Sequence, residues 1–157
     1  MRHRLDSRPG SARKFTESYL LPVLVLLLAL ALNVYRLESK SLWHDEFGTL
    51  TLAGLDGSWM DALRNPLTVP TIPKAPLPFF VTRVFFMLGQ TDFSVRLPSV
   101  LFATLTVPLV FALGRSLFGR QVGLLGAPLL TVAPLQIRYA QEARMYAMLS
   151  FFSILSL

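Results

Sequence analysis

The chain has 157 residues, 53% of them hydrophobic and only 15% charged, and its mean hydropathy is +0.53. A soluble domain usually carries about 25% charged residues, so the composition predicts an all-α, polytopic transmembrane protein. The net charge of +6 and pI near 10.3 do not indicate a nucleic-acid binder, because the basic residues flank apolar runs instead of forming one stripe. Cysteine is absent, which excludes disulfides and thiolate metal sites.

Residues 1–17 form a basic tail with Arg2, Arg4, Arg8, Arg13 and Lys14, expected to be disordered and cytoplasmic. A first helix is predicted over about 18–36, uncharged through Tyr35 and long enough to cross about 30 Å of hydrocarbon, with Pro22 tolerated in its first turn. The rival reading of this run is a secretory signal, with Ala29-Leu30-Ala31 as its cleavage site. Residues 37–96 then form a long outer loop of mixed charge carrying short juxtamembrane helices. Trp59–Arg64 reads as one of these, ended by Pro66, and a proline-rich passage follows to Pro78. Residues 78–88 are apolar but interrupted by Arg83, too short to span, and predicted to lie in the interface.

Further helices are predicted over 97–114, 121–138 and 145–157, the last cut short of a full crossing. The chain is therefore expected to be the opening portion of a longer protein. Arg115 and Arg120 lie in a turn without acids, which assigns that turn to the cytoplasm with the tail. A crossing at 78–88 would put both arginines outside, so 37–96 is placed on the outer face. Asp45, Glu46, Lys74, Glu142 and Arg144 then share one side of the membrane.

Two polar knots carry the chemistry. In Trp43-His44-Asp45-Glu46 two adjacent carboxylates beside a membrane are costly unless they serve something. Neighbouring positions point about 100° apart on a helix, so one carboxylate acts and the other orients it or a neighbour. Partial desolvation raises such a carboxylate toward the range of a general base. In the second knot, Arg138 and Arg144 flank Glu142, an arrangement able to hold a phosphate while the glutamate aims one arginine. Lys74, between prolines, is a third cation for a lipid phosphate. Trp43, His44, Tyr139, Gln141 and Tyr146 are the candidates for sugar or lipid contact, although the aromatics equally suit interfacial anchoring. No metal ligands are assigned, since His44 has no partner at ligand spacing; a divalent cation is left open. Arg96-Leu97-Pro98-Ser99 marks the start of a helix, with no pair assigned between Asp92 and Arg96.

At these residues the chain resembles the GT-C glycosyltransferases that use polyprenyl-phosphate sugars, in the branch of protein O-mannosyltransferases and aminoarabinose lipid A transferases. The matching pieces are Trp43-His44-Asp45-Glu46, Lys74-Ala75-Pro76-Leu77, Arg96-Leu97-Pro98-Ser99, Leu113–Arg120 and Tyr139–Ala147, in that order. The family often has His-Pro-Pro-Leu-Tyr where this chain has Lys74-Ala75-Pro76-Leu77-Pro78. The resemblance implies inverting transfer of a sugar from a polyprenyl-phosphate donor to a lipid, glycan or protein acceptor, on the outer face of a bacterial plasma membrane. It implies Asp45 as catalytic base, Glu142 as the second-loop acid, and Lys74 and Arg144 on the leaving phosphate. A multi-pass transporter and an inactive fragment of the transferase are the alternatives.

Overall fold

The computed structural model describes residues 10–39, 41–55, 57–69 and 75–157, with side chains from Leu20 onward. Among these residues the secondary structure is entirely helical. In chain order the helices are α1 (Gly10–Val34), α2 (His44–Ala53), α3 (Asp61–Arg64), α4 (Leu77–Gly89), α5 (Asp92–Phe118), α6 (Arg120–Thr131), α7 (Pro134–Ala140) and α8 (Tyr146–Leu155). Residues 1–9 of the basic tail lie outside the described residues, whereas 10–17, expected to be disordered, form the first turns of α1.

Helix α5 is the axis: α1, α4, α6, α7 and α8 all pack against it. It starts five residues earlier than the predicted 97, because Thr91 and Ser94 close a capping box at its N-terminus. Asp92 in the first turn suits the positive end of the helix dipole. The joint with α6 is also tighter than the predicted turn at 115–120, since only Gly119, at φ +93°, separates the two helices. They pack glycine on glycine there: a Cβ on Gly123 would come within 2.5 Å of the Phe111 carbonyl oxygen. The small residues let the backbones approach as they do between membrane helices.

The helix predicted over 121–138 is broken. Pro134 cannot donate its nitrogen and forces the residue before it out of helical geometry. Ala133 is accordingly extended, at φ −66° and ψ 121°, and separates α6 from α7. The segment read as an outer loop holds α2, α3 and α4. Pro66 does not stop the α3 region but opens a 3₁₀ turn, Asn65–Thr68, which continues it.

Small residues fill the core, including Ala29, Val107 and Ala127 between α1, α5 and α6, and Ala103, Ala140 and Ala147 between α5, α7 and α8. A buried bond from Asn33 Nδ2 to Thr104 Oγ1, 3.1 Å long, ties α1 to α5. The outer surface carries exposed leucines on α1 (Leu20, Leu24, Leu27, Leu28), α6 (Leu125, Leu129) and α8 (Leu149, Leu155). Among the described residues one helix, α5, is long and apolar enough to cross a membrane.

Candidate active site

The first turn of α2 sends its two carboxylates in different directions, as the 100° step between neighbours requires. Glu46 points inward and is fully buried. Its Oε1 accepts from Arg96 Nε at 2.9 Å and from the Ala143 backbone N–H at 2.8 Å. Its Oε2 accepts from Arg96 Nη2 at 2.8 Å and from the Trp43 N–H, the N-cap of α2, at 3.3 Å. Arg96 also donates to the Leu37 carbonyl at 2.7 Å and the Ser41 carbonyl at 3.4 Å. One ion pair thereby fastens α2, α5, the end of α1 and the turn before α8. Burial alone would push the Glu46 carboxyl up, but the Arg96 bonds and charge, with the Ala143 and Trp43 amides, outweigh it and hold the pKa below the ordinary carboxylate range. Glu46, expected in the catalytic pair, is fully buried on Arg96.

Asp45 points the other way, with 46% of its side chain exposed. The Arg144 guanidinium lies 3.6 Å from its Oδ2 and donates to its backbone carbonyl at 3.2 Å. Arg144 also donates to the Tyr146 hydroxyl at 3.2 Å, its guanidinium 5.4 Å from the ring centroid, and Ser99 Oγ donates to its carbonyl. Burial pulls the Arg144 pKa down, yet the Tyr146 bond and the Asp45 and Glu142 charges leave it raised, so it stays cationic. Asp45 and Arg144 share a cavity of about 160 Å³ with His44, Thr49, Thr82 and an apolar floor of Phe79, Phe102 and Met148. A cavity of about 150 Å³ admits one benzene, so this one has room for a single six-membered ring.

The second knot divides. Arg144 joins Asp45, whereas Glu142 accepts from Arg138 Nε at 3.1 Å in a separate groove of about 690 Å³. Trp43 faces that groove, so it and His44 part company although adjacent in sequence. Asp45 and Glu142, expected to serve one site, line different openings, and the Glu46–Arg96 pair lines the one that holds Glu142. Gln141, expected at a sugar, instead donates to the Leu32 and Tyr35 carbonyls at 3.2 and 3.0 Å, satisfying the last turn of α1. Tyr139 stacks against Tyr146, with ring centroids 4.8 Å apart. Lys74 lies outside the described residues. Among the described residues no three His, Cys, Asp or Glu side chains gather as metal ligands.

Two arginines matter here that the sequence reading left without partners. Arg96 is the counter-ion of Glu46. Arg83 of α4 is buried and donates to the Ala53, Gly54 and Gly57 carbonyls, while its guanidinium sits 5.0 Å from the Trp59 ring centroid. It closes the C-terminal end of α2, where carbonyls lack helical partners. The signal for both was a lone arginine within an apolar run.

A family model described as dolichyl-phosphate-mannose-protein mannosyltransferase matches residues 73–157, more than half of the chain. No curated protein and no solved structure matches it.

Proposed function

The chain belongs to the dolichyl-phosphate-mannose-protein mannosyltransferase family, and from that premise we propose that it serves a membrane glycosyltransferase moving a sugar from a polyprenyl-phosphate donor to an acceptor on the outer face. Family membership implies a mannosyltransferase-type enzyme of a membrane. The leucine-lined exteriors of α1, α6 and α8 support a multi-pass arrangement, because a soluble monomer rarely exposes so wide an apolar surface.

The observation that carries the reading is the exposed Asp45 carboxylate beside the Arg144 guanidinium in a ring-sized cavity. Asp45 takes the proton of the acceptor hydroxyl as that oxygen bonds to the anomeric carbon. The bond from this carbon to the phosphate oxygen breaks, its electron pair leaves with the phosphate, and the configuration inverts. Arg144 is the cation at hand to neutralise the departing phosphate, preorganised by Tyr146 and Ser99. Lys74 is proposed as a second cation on that phosphate. Glu46 holds the first turn of α2 so that Asp45 faces the cavity.

A positioned base contributes about 10²–10⁴-fold. Asp45→Asn in the full protein should therefore lower transfer from a labelled polyprenyl-phosphate sugar by at least that factor, with membrane insertion intact. Turnover retained in this variant would remove Asp45 from the base role.

A further inference from the structure

The groove beyond the Glu46–Arg96 pair has a different chemistry from the Asp45 cavity. It lies where α1 ends and where α6 breaks into α7, beside the exposed Val132 and Leu135. Leu37, Val132 and Ile137 line it with apolar surface, and the half-exposed Trp43 ring stands at its edge. Its charged lining consists of Arg36, Arg96 and Arg138 against Glu46 and Glu142. Among the described lining residues Glu46 neutralises Arg96 and Glu142 neutralises Arg138, which leaves one positive charge on Arg36. Arg36 makes no ion pair among the described residues, and it holds the left-handed conformation at φ +55° that glycine usually takes after a helix. Arg138 keeps about two thirds of its side chain exposed despite its pair.

One surplus cation above an apolar trough matches a ligand with one negative charge and a hydrocarbon tail. The sugar donor is a poor candidate, since Asp45 lines the other cavity and not this groove. We propose that the groove binds an anionic glycerophospholipid of the surrounding membrane, its phosphodiester between Arg36 and Arg138 and its chains along Val132 and Ile137. This rests on the membrane reading above, but not on Asp45 being the base.

The test is lipid titration of the full chain in neutral detergent, read as bound adducts by native mass spectrometry. Short-chain phosphatidylglycerol is the probe, with short-chain phosphatidylcholine and inorganic phosphate as the comparison arms. Phosphatidylglycerol should bind selectively. Each of Arg36→Gln and Arg138→Gln should weaken it about fivefold, the effect of one basic residue at a charged membrane surface. Phosphatidylcholine binding equally well would overturn the proposal, and so would inorganic phosphate competing at the same concentration as the lipid. Unchanged phosphatidylglycerol affinity in the double variant would also overturn it. Asp45→Asn leaves this binding curve in place whether or not transfer survives, so the two readings fail separately.

Discussion

Removing the Glu46 carboxylate by Glu46→Ala should be the most damaging single change in the described chain. It takes the carboxylate away from the Arg96 guanidinium, which is 3% exposed and keeps the neutral Leu37 and Ser41 carbonyls, and leaves the Ala143 and Trp43 amides without this acceptor. Breaking a buried ion pair from one side typically costs about 3–5 kcal/mol. Each kcal/mol lowers the melting temperature by about 2–4 °C in a chain of this size, so a drop of roughly 6–20 °C follows. Replacing both partners with apolar residues of similar volume, Glu46→Leu with Arg96→Met, removes the buried charge and should recover at least half of the loss. Circular dichroism melts of the wild type, Glu46→Leu, Arg96→Met and the double variant in one detergent complete the cycle, with Glu46→Ala melted alongside. Additive single losses, or a Glu46→Ala protein that melts with the wild type, would refute a coupled clamp at this position. The double variant should still be poor in sugar transfer, because Asp45 loses the anchor behind its helical turn.

The same pair sets an acid limit. A glutamate held below its unfolded pKa contributes stability that is complete above the ordinary glutamate range, about 4.3, and is lost as pH falls through the folded value. Melting temperature should therefore decline on acidification below that range, and the decline should be shallower in Glu46→Gln. Gly123→Ala should cost about 1–3 kcal/mol, since its methyl would meet the Phe111 carbonyl at 2.5 Å, whereas Gly126→Ala, whose Cβ would lie 3.5 Å from Val110, should be tolerated. The paired melts check the close α5–α6 contact. Arg83→Met keeps the stem but removes the bonds to the Ala53, Gly54 and Gly57 carbonyls. It should destabilise by about 3 kcal/mol and speed amide hydrogen exchange at the end of α2 first.

Composition and spacing alone were enough to show helices, apolar runs of membrane character and two polar knots at their ends, because burial and hydropathy act residue by residue. The sequence offered Asp45 and Arg144 as candidates expected on one side of the membrane, but their pairing was not legible, since Arg144 read as a partner of Glu142. The division of labour within each knot was not legible either. Asp45 and Glu46 are equally acidic on paper, and only the rotation of α2 against α5 decided which would be sealed onto Arg96 and which would face the cavity. Gln141 and Glu142 line one groove but take different partners, the α1 carbonyls and Arg138, according to the packing of α7 against α1 and the break at Pro134. Local sequence determines what a side chain can bond to. Its partner 50 or 97 residues away is settled by helix packing, through contacts that no neighbouring residue encodes.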